Sequence, residues 1–84
     1  MELYTIRDRV AEESGPLFEA KNKGIAIRQI TKMLEGVPKA SLGDYKLLYM
    51  GTYNSSAMRI EVEKQPKEIP FLQHIIEYRK QMEN

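Results

Sequence analysis

Hydrophobic positions recur at every second residue near the start of the chain, which is the period of a β-strand. In residues 3–10 this alternation places Tyr4 and Ile6 on one face, with Thr5 and Arg7 on the other. β-Branched and aromatic residues, which favour strands, are frequent in the same segment. The pattern predicts a strand that turns one face towards a hydrophobic core.

A second strand is predicted directly after a turn. Residues 12–16 combine acidic residues with serine, glycine and proline, a composition typical of turns. Residues 17–21 follow and can pair back on the first strand as a hairpin. In that arrangement Phe18 and Ala20 point inward.

The hydrophobic period changes to three and four residues after Asn22, which predicts an amphipathic helix. Asn22 is suited to cap its first turn, and Gly36 followed by Pro38 supplies a stop signal. The apolar stripe comprises Ala26, Ile27, Ile30, Met33 and Leu34. The opposite face carries Lys23, Arg28 and Lys32. We therefore expect a basic surface on the solvent side of this helix.

Residues 45–53 and 57–64 flank a short polar turn, which predicts an antiparallel hairpin. In the second strand the apolar residues alternate with charged ones and are predicted to face inward. These residues are Met58, Ile60 and Val62.

The first strand of this hairpin has apolar side chains on both faces. Leu48 and Met50 lie on one face by alternation. The other face carries Tyr45, Leu47, Tyr49 and Tyr53. A strand of this kind is normally covered on both sides, and the sequence leaves open which face points inward.

Residues 39–44 are expected to form a polar connector, and Pro66 is expected to end the strand region. Pro70 is well placed in the first turn of a last helix, where its missing N–H has no effect. The apolar face of that helix comprises Phe71, Leu72, Ile75, Ile76, Tyr78 and Met82. The order is β-β-α-β-β-α, which predicts a single α+β domain over residues 1–84. Its small sheet should be mostly antiparallel, with both helices on one face.

Composition restricts the possible classes of protein. The 84 residues include 13 basic and 12 acidic side chains, so the net charge of +1 does not by itself favour a polyanionic partner. The absence of cysteine excludes a disulfide scaffold and a cysteine-ligated zinc site. The sequence has neither the pattern of a signal peptide nor an apolar stretch of membrane-spanning length. We expect a cytoplasmic protein, in the host cytoplasm if it is viral, with no membrane partner.

No residue pattern indicates catalysis. The single histidine, His74, lies three residues before Glu77, and one such pair cannot build a metal site alone. The serines lie in predicted turns, and the five glycines are too dispersed for a phosphate-binding loop. We therefore expect no enzyme activity, no cofactor, no metal and no small-molecule substrate.

Positive charge is concentrated in the middle of the chain. Residues 21–46 contain six basic and two acidic side chains, a local excess of +4. Basic side chains beside exposed aromatic rings are typical of proteins that hold single-stranded nucleic acid. If the tyrosine face of the strand at 45–53 points outward, Arg7 and Arg59 would share it. The candidate contacts are Arg7, Lys21, Lys23, Arg28, Lys32, Tyr45, Lys46, Tyr49, Tyr53 and Arg59.

Several segments together resemble a known protein family. They read YTIRD at 4–8, PLFEA at 16–20, AIR at 26–28 and DYKLLYMGTY at 44–53. In this order and spacing they resemble the small non-structural protein of gokushovirus-type microviruses, which are phages with single-stranded DNA genomes. The resemblance implies a DNA-binding, replication-associated protein that acts when single-stranded genomes are made for packaging.

Two hypotheses about function follow. In the first, the chain is a non-enzymatic phage protein, expected to be a homodimer, that binds single-stranded DNA. In the second, it is a protein–protein interaction module that uses its two-faced strand to contact a second copy or a replication or capsid partner. The apolar character of both faces of that strand favours the second hypothesis, and the basic segment favours the first.

Overall fold

The computed structural model describes residues 1–82 of the chain. Its strands are β1 (Glu2–Asp8), β2 (Glu13–Ser14), β3 (Phe18–Ala20), β4 (Tyr45–Asn54) and β5 (Arg59–Ile69). Its α-helices are α1 (Lys23–Met33) and α2 (Leu72–Met82), and a 3-10 helix spans Lys39–Asp44. The predicted α+β class is confirmed.

All strand pairs are antiparallel, and the order across the sheet is β2-β1-β4-β5, with β3 also paired to β1. β2 and β3 follow one another along the same edge of β1, because the other edge pairs with β4. Between them the Thr5 hydroxyl donates to the carbonyl oxygen of Gly15 at 2.8 Å. The Gly15 N–H in turn donates to the carbonyl oxygen of Ile6 at 2.8 Å. The predicted first hairpin is therefore present, with an irregular segment in its returning strand.

One hydrophobic core lies between the sheet and the two helices. Tyr4 and Leu47 contribute from the sheet, Ala26 and Ile30 from α1, and Ile75 from α2. Phe18 also packs against this core, and Ala20 is part of it, as predicted. We call the sheet face with Tyr4 and Leu47 the inner face, and the opposite one the outer face. Both helices lie on the inner face.

Helix α1 begins as its sequence predicts. The Asn22 side-chain oxygen accepts a hydrogen bond from the N–H of Ile25 at 2.9 Å, so Asn22 is the N-cap. Met33, predicted in the apolar stripe, is instead 52% exposed, and Thr31 is buried. The Thr31 hydroxyl donates to the carbonyl oxygen of Ile27 at 2.7 Å, which satisfies its polar group inside the helix. The buried stripe therefore follows i, i+4 spacing and leaves Met33 beyond its edge.

Arg79 of helix α2 forms hydrogen bonds with the backbone at the end of α1. Its Nη2 donates to the carbonyl oxygens of Leu34 at 2.9 Å and Val37 at 2.8 Å. These carbonyls follow the last turn of α1, where backbone acceptors lack partners within the helix. The segment predicted as a polar connector forms the 3-10 helix, and its Leu42 is fully buried in the core.

The second hairpin is longer than predicted, because β5 continues through Pro66 to Ile69. Tyr49 pairs with Lys67 and Gly51 with Val62, so residues 63–66 bulge opposite the single residue Met50. Pro66 is tolerated because it lies in this bulge on an edge strand, where no ladder N–H is required. The prediction that Pro66 ends the strand region is wrong.

Beyond the bulge, β4 and β5 continue to their connecting turn, and we call this part of the hairpin, residues 51–62, the arm. Met58, Ile60 and Val62, predicted to face inward, are 86%, 60% and 76% exposed. Met58 lies in the connecting turn with a φ of 51°. Ile60 and Val62 pair with Tyr53 and Gly51 on the outer face, whereas both helices pack on the inner face, so the prediction that this row faces inward is wrong. The longest dimension of the molecule is 46 Å.

Candidate nucleic-acid interface

Four of the candidate basic residues lie on or next to α1, on the solvent side of the helix layer. Lys21 precedes the N-cap, Lys23 opens the helix, and Arg28 and Lys32 are one turn apart along it. All four side chains are exposed. No ion pair within residues 1–82 involves any of them. We call these four residues the basic helix surface.

The electrostatics of α1 favour an anionic partner. Like charges at i, i+4 positions such as Arg28 and Lys32 destabilise a helix slightly, by about 0.2–0.5 kcal/mol. The first turn contains no acidic residue that would offset Lys21 and Lys23 or complement the positive end of the helix dipole. A bound polyanion would relieve both unfavourable features.

The tyrosines of β4 do not form one exposed face. Tyr45 and Tyr49 are half-buried and pack against the core on the inner face. The Tyr49 ring lies 5.5 Å from that of Tyr4 with an interplanar angle of 61°. Because the bulge adds a residue at Met50, Tyr53 emerges on the outer face. The outward orientation considered for Tyr45 and Tyr49 is therefore wrong, and their rings are engaged in packing.

The three remaining basic candidates lie apart from α1. Arg7 and Lys46 are directly opposite each other on β1 and β4, on the outer face. Arg7 Nη1 donates to Ser14 Oγ at 3.3 Å, and Lys46 Nζ lies 3.4 Å from a carboxylate oxygen of Glu68. Arg59 is exposed at the end of the arm, paired with Asn54.

The ten candidate residues thus occupy four regions instead of one groove. The basic helix surface lies on the helix layer, Arg7, Lys46 and Tyr53 lie on the outer face, and Arg59 lies at the arm. Tyr45 and Tyr49 lie between the layers. Arg7 and Arg59, expected on a common face with the tyrosines, lie on opposite faces of the sheet. A single surface that combines the cations of α1 with all three tyrosines is not formed.

The outer face contains a groove whose apolar residues are not among the ten candidates. An open groove of about 430 Å³ is lined mainly by apolar side chains. Its lining includes Thr5, Arg7, Leu17, Leu48, Met50 and Pro66. The apolar residues on the second face of the strand at 45–53 were the available signal, but Leu17 and Pro66 reach the same surface only through the fold.

One titratable group is strongly perturbed. Burial raises the pKa of the Tyr4 phenol well above its usual value, and the hydrogen bond that Tyr4 donates to the Glu2 carboxylate, with the charge of that carboxylate, raises it further. Tyr4 therefore stays protonated in the core. This is a structural role, because the ring packs against Phe18 and Tyr49.

Residues 1–82 contain no cluster of three or more His, Cys, Asp or Glu side chains suited to a metal ion. His74 is exposed on α2, and the neighbouring Glu77 accepts a hydrogen bond from Gln73 at 3.2 Å. Over the same residues, neither helix has the length and apolar character that a membrane span requires.

The fold and its surfaces define a small two-layer α+β protein with a basic helix layer and an apolar outer sheet face. A family model described as "Phage ORF5 protein" matches residues 1–77, so the chain belongs to this family of phage proteins. No curated protein and no solved structure matches the chain.

Proposed function

We propose that this phage protein binds single-stranded DNA during replication or packaging of the viral genome, and that the basic helix surface contacts the phosphates. The observation that carries the proposal is the group of four exposed cations, Lys21, Lys23, Arg28 and Lys32, without ion-pair partners within residues 1–82. Membership of a phage family supports it. The resemblance to gokushovirus-type microviruses supplies the nature of the genome and a site of action in the host cytoplasm.

The structure suits binding that is largely independent of base sequence. Phosphate contacts provide affinity and position, whereas sequence is read by contacts to base edges. The basic helix surface offers cations, and the rings of Tyr45 and Tyr49 are occupied by packing against the core. Binding should therefore depend mainly on charge, with little contribution from stacking on these two tyrosines.

Salt dependence tests this proposal. For single strands, log K falls with log salt at a slope of about −0.7 per phosphate contact, so four contacts give about −2.8. A fourfold rise in salt should weaken binding by about 50-fold. Fluorescence anisotropy of a labelled oligothymidylate, measured at several salt concentrations, gives the slope directly. No anisotropy change at micromolar protein and low salt would refute DNA binding.

A matched pair of variants tests the location. Arg28→Gln with Lys32→Gln removes two charges from the basic helix surface, and the slope should fall to about −1.4. The control, Lys64→Gln with Lys67→Gln, removes the same charge from β5. Equal weakening by both double variants would show that only net charge matters and would contradict the assignment to α1.

A further inference from the structure

The outer sheet face presents a continuous apolar surface. Antiparallel partners that lie directly opposite one another share a face, so the pairs Tyr53–Ile60 and Gly51–Val62 extend the groove surface into the arm. The apolar side chains that dominate this surface are Leu17, Leu48, Met50, Tyr53, Ile60 and Val62.

These side chains are too exposed and too contiguous for an ordinary solvent-facing surface. Leu17 is 57% exposed, Ile60 60% and Val62 76%, while both helices pack on the other side of the sheet. Isolated exposed apolar residues are common on soluble proteins, but a contiguous patch of them marks an interaction surface.

We propose that a second copy of this chain packs face to face on the outer sheet face. In this dimer the two sheets form a sandwich, and the helices of each copy lie on its outer surfaces. Packing one sheet against another is a common way to cover an apolar sheet face. Both copies of the basic helix surface stay exposed in this arrangement. The proposal does not depend on DNA binding.

The size of the face is sufficient for a modest dimer. β4 is ten residues long, which corresponds to about 33 Å at ~3.3 Å per residue. With neighbouring strands about 4.8 Å apart, the outer face covers roughly 500–600 Å². This approaches the lower end of stable interfaces, about 600 Å² per partner. We therefore expect a dissociation constant in the micromolar range.

Charge placement favours a copy of the same chain as the occupant. Arg7 lies on β1 and Glu68 on β5, the two strands that flank β4. A two-fold axis parallel to β4 exchanges these two strands, so each Arg7 lies close to Glu68 of the partner subunit. Lys46, on β4, faces its own copy, and its charge is offset by the ion pair with Glu68. A two-fold interface requires this kind of self-complementarity.

Sedimentation equilibrium tests the dimer. At about 200 µM the wild-type chain should approach twice its mass of 9.8 kDa, given a micromolar dissociation constant. Val62→Glu should raise that constant at least about tenfold, because it places a carboxylate in the interface. Met33→Glu is the matched control: Met33 is also an exposed apolar residue, 52% accessible, but lies on the helix layer. It should leave the dimer intact.

A wild-type chain that stays monomeric at this concentration overturns the proposal, as does equal weakening by Val62→Glu and Met33→Glu.

Cross-linking provides a second measurement that needs no charged substitution. The chain has no cysteine, so Met50→Cys introduces a single reactive thiol on the outer face. A bismaleimide of about 10 Å, the spacing of packed sheets, should join two Met50→Cys chains. It should not join two Glu35→Cys chains, whose thiols lie on the helix layers; equal cross-linking of both variants contradicts the sandwich.

Discussion

Gly51 is the residue on which the connection between the core and the arm depends, and Gly51→Ala tests this role. Gly51 has a φ of 147°, a backbone conformation that residues other than glycine rarely adopt. A Cβ placed there would lie 2.0 Å from the carbonyl oxygen of Glu61 on β5. The obstructing atom belongs to the backbone, so the strand itself would have to move.

Two contributions set the size of the effect. A residue forced into such a backbone region is destabilised by about 1–3 kcal/mol. An overpacked contact that shifts the backbone adds about 1–3 kcal/mol. Gly51→Ala should therefore lower the free energy of unfolding by about 2–6 kcal/mol. The total for a chain of this length is about 4–13 kcal/mol, so the change is a large fraction of the stability.

Urea unfolding followed by circular dichroism measures this loss. With a slope of about 1 kcal/mol/M for a small protein, the midpoint should fall by about 2 M or more. Gly43→Ala is the matched control, because a Cβ at Gly43 meets nothing within 4 Å. Its unfolding free energy should change by no more than about 0.5 kcal/mol. Equal midpoints for Gly51→Ala and the wild type would refute the reasoning.

Two further predictions concern the core and the contact between the helices. Arg79→Met keeps an aliphatic side chain but removes the charged donor from two backbone carbonyls, so thermal unfolding should show a loss of about 1.5–3 kcal/mol; an unchanged melting temperature would contradict this. The raised pKa of Tyr4 stabilises the fold while the phenol is protonated, so this contribution is complete below about pH 10, the ordinary tyrosine value, and is lost as pH rises further. Tyr4→Phe should flatten the decline of urea stability above pH 10, and an unchanged decline would show that other groups cause it.

Much of the local structure follows from the sequence because short-range patterns decide it. The alternation around Tyr4 predicts the correct inner face of β1, and Asn22 is identified correctly as the cap of α1. Both features depend on a few neighbouring residues. The α+β class follows because the order of the elements and their apolar faces allow few alternatives.

The orientations in the second hairpin were harder to predict, because they depend on contacts distant in sequence. The bulge at Met50 changes the face on which Tyr53 emerges while Tyr45 stays on the inner face. A glycine within a strand is a signal for such a bulge, and Gly51 provided it. The alternation of β5 groups Ile60 with Val62 but does not show which face the helices cover. The pairing of Gly51 with Val62, which the bulge sets, places this row on the outer face.

The position of the basic residues could be predicted from the sequence, but their position relative to the tyrosines could not. The basic residues of α1 follow directly from helical spacing, and the structure places them on the solvent side. Their proposed association with tyrosines required a choice of face for β4, which the sequence left open. The structure instead gives the outer face an apolar character, so the cationic surface and the apolar surface lie on opposite sides of the protein.

The most direct test of the central claim is an NMR titration of the labelled protein with an oligothymidylate of about 12 nucleotides. Binding at the basic helix surface should shift the amide signals of residues 21–32 in proportion to the DNA added, and the shifts should reverse at high salt. The amides of Thr5 and Leu48, on the outer face, should stay near their original positions. Shifts centred on Thr5 and Leu48, or no shifts at low salt, would contradict the account.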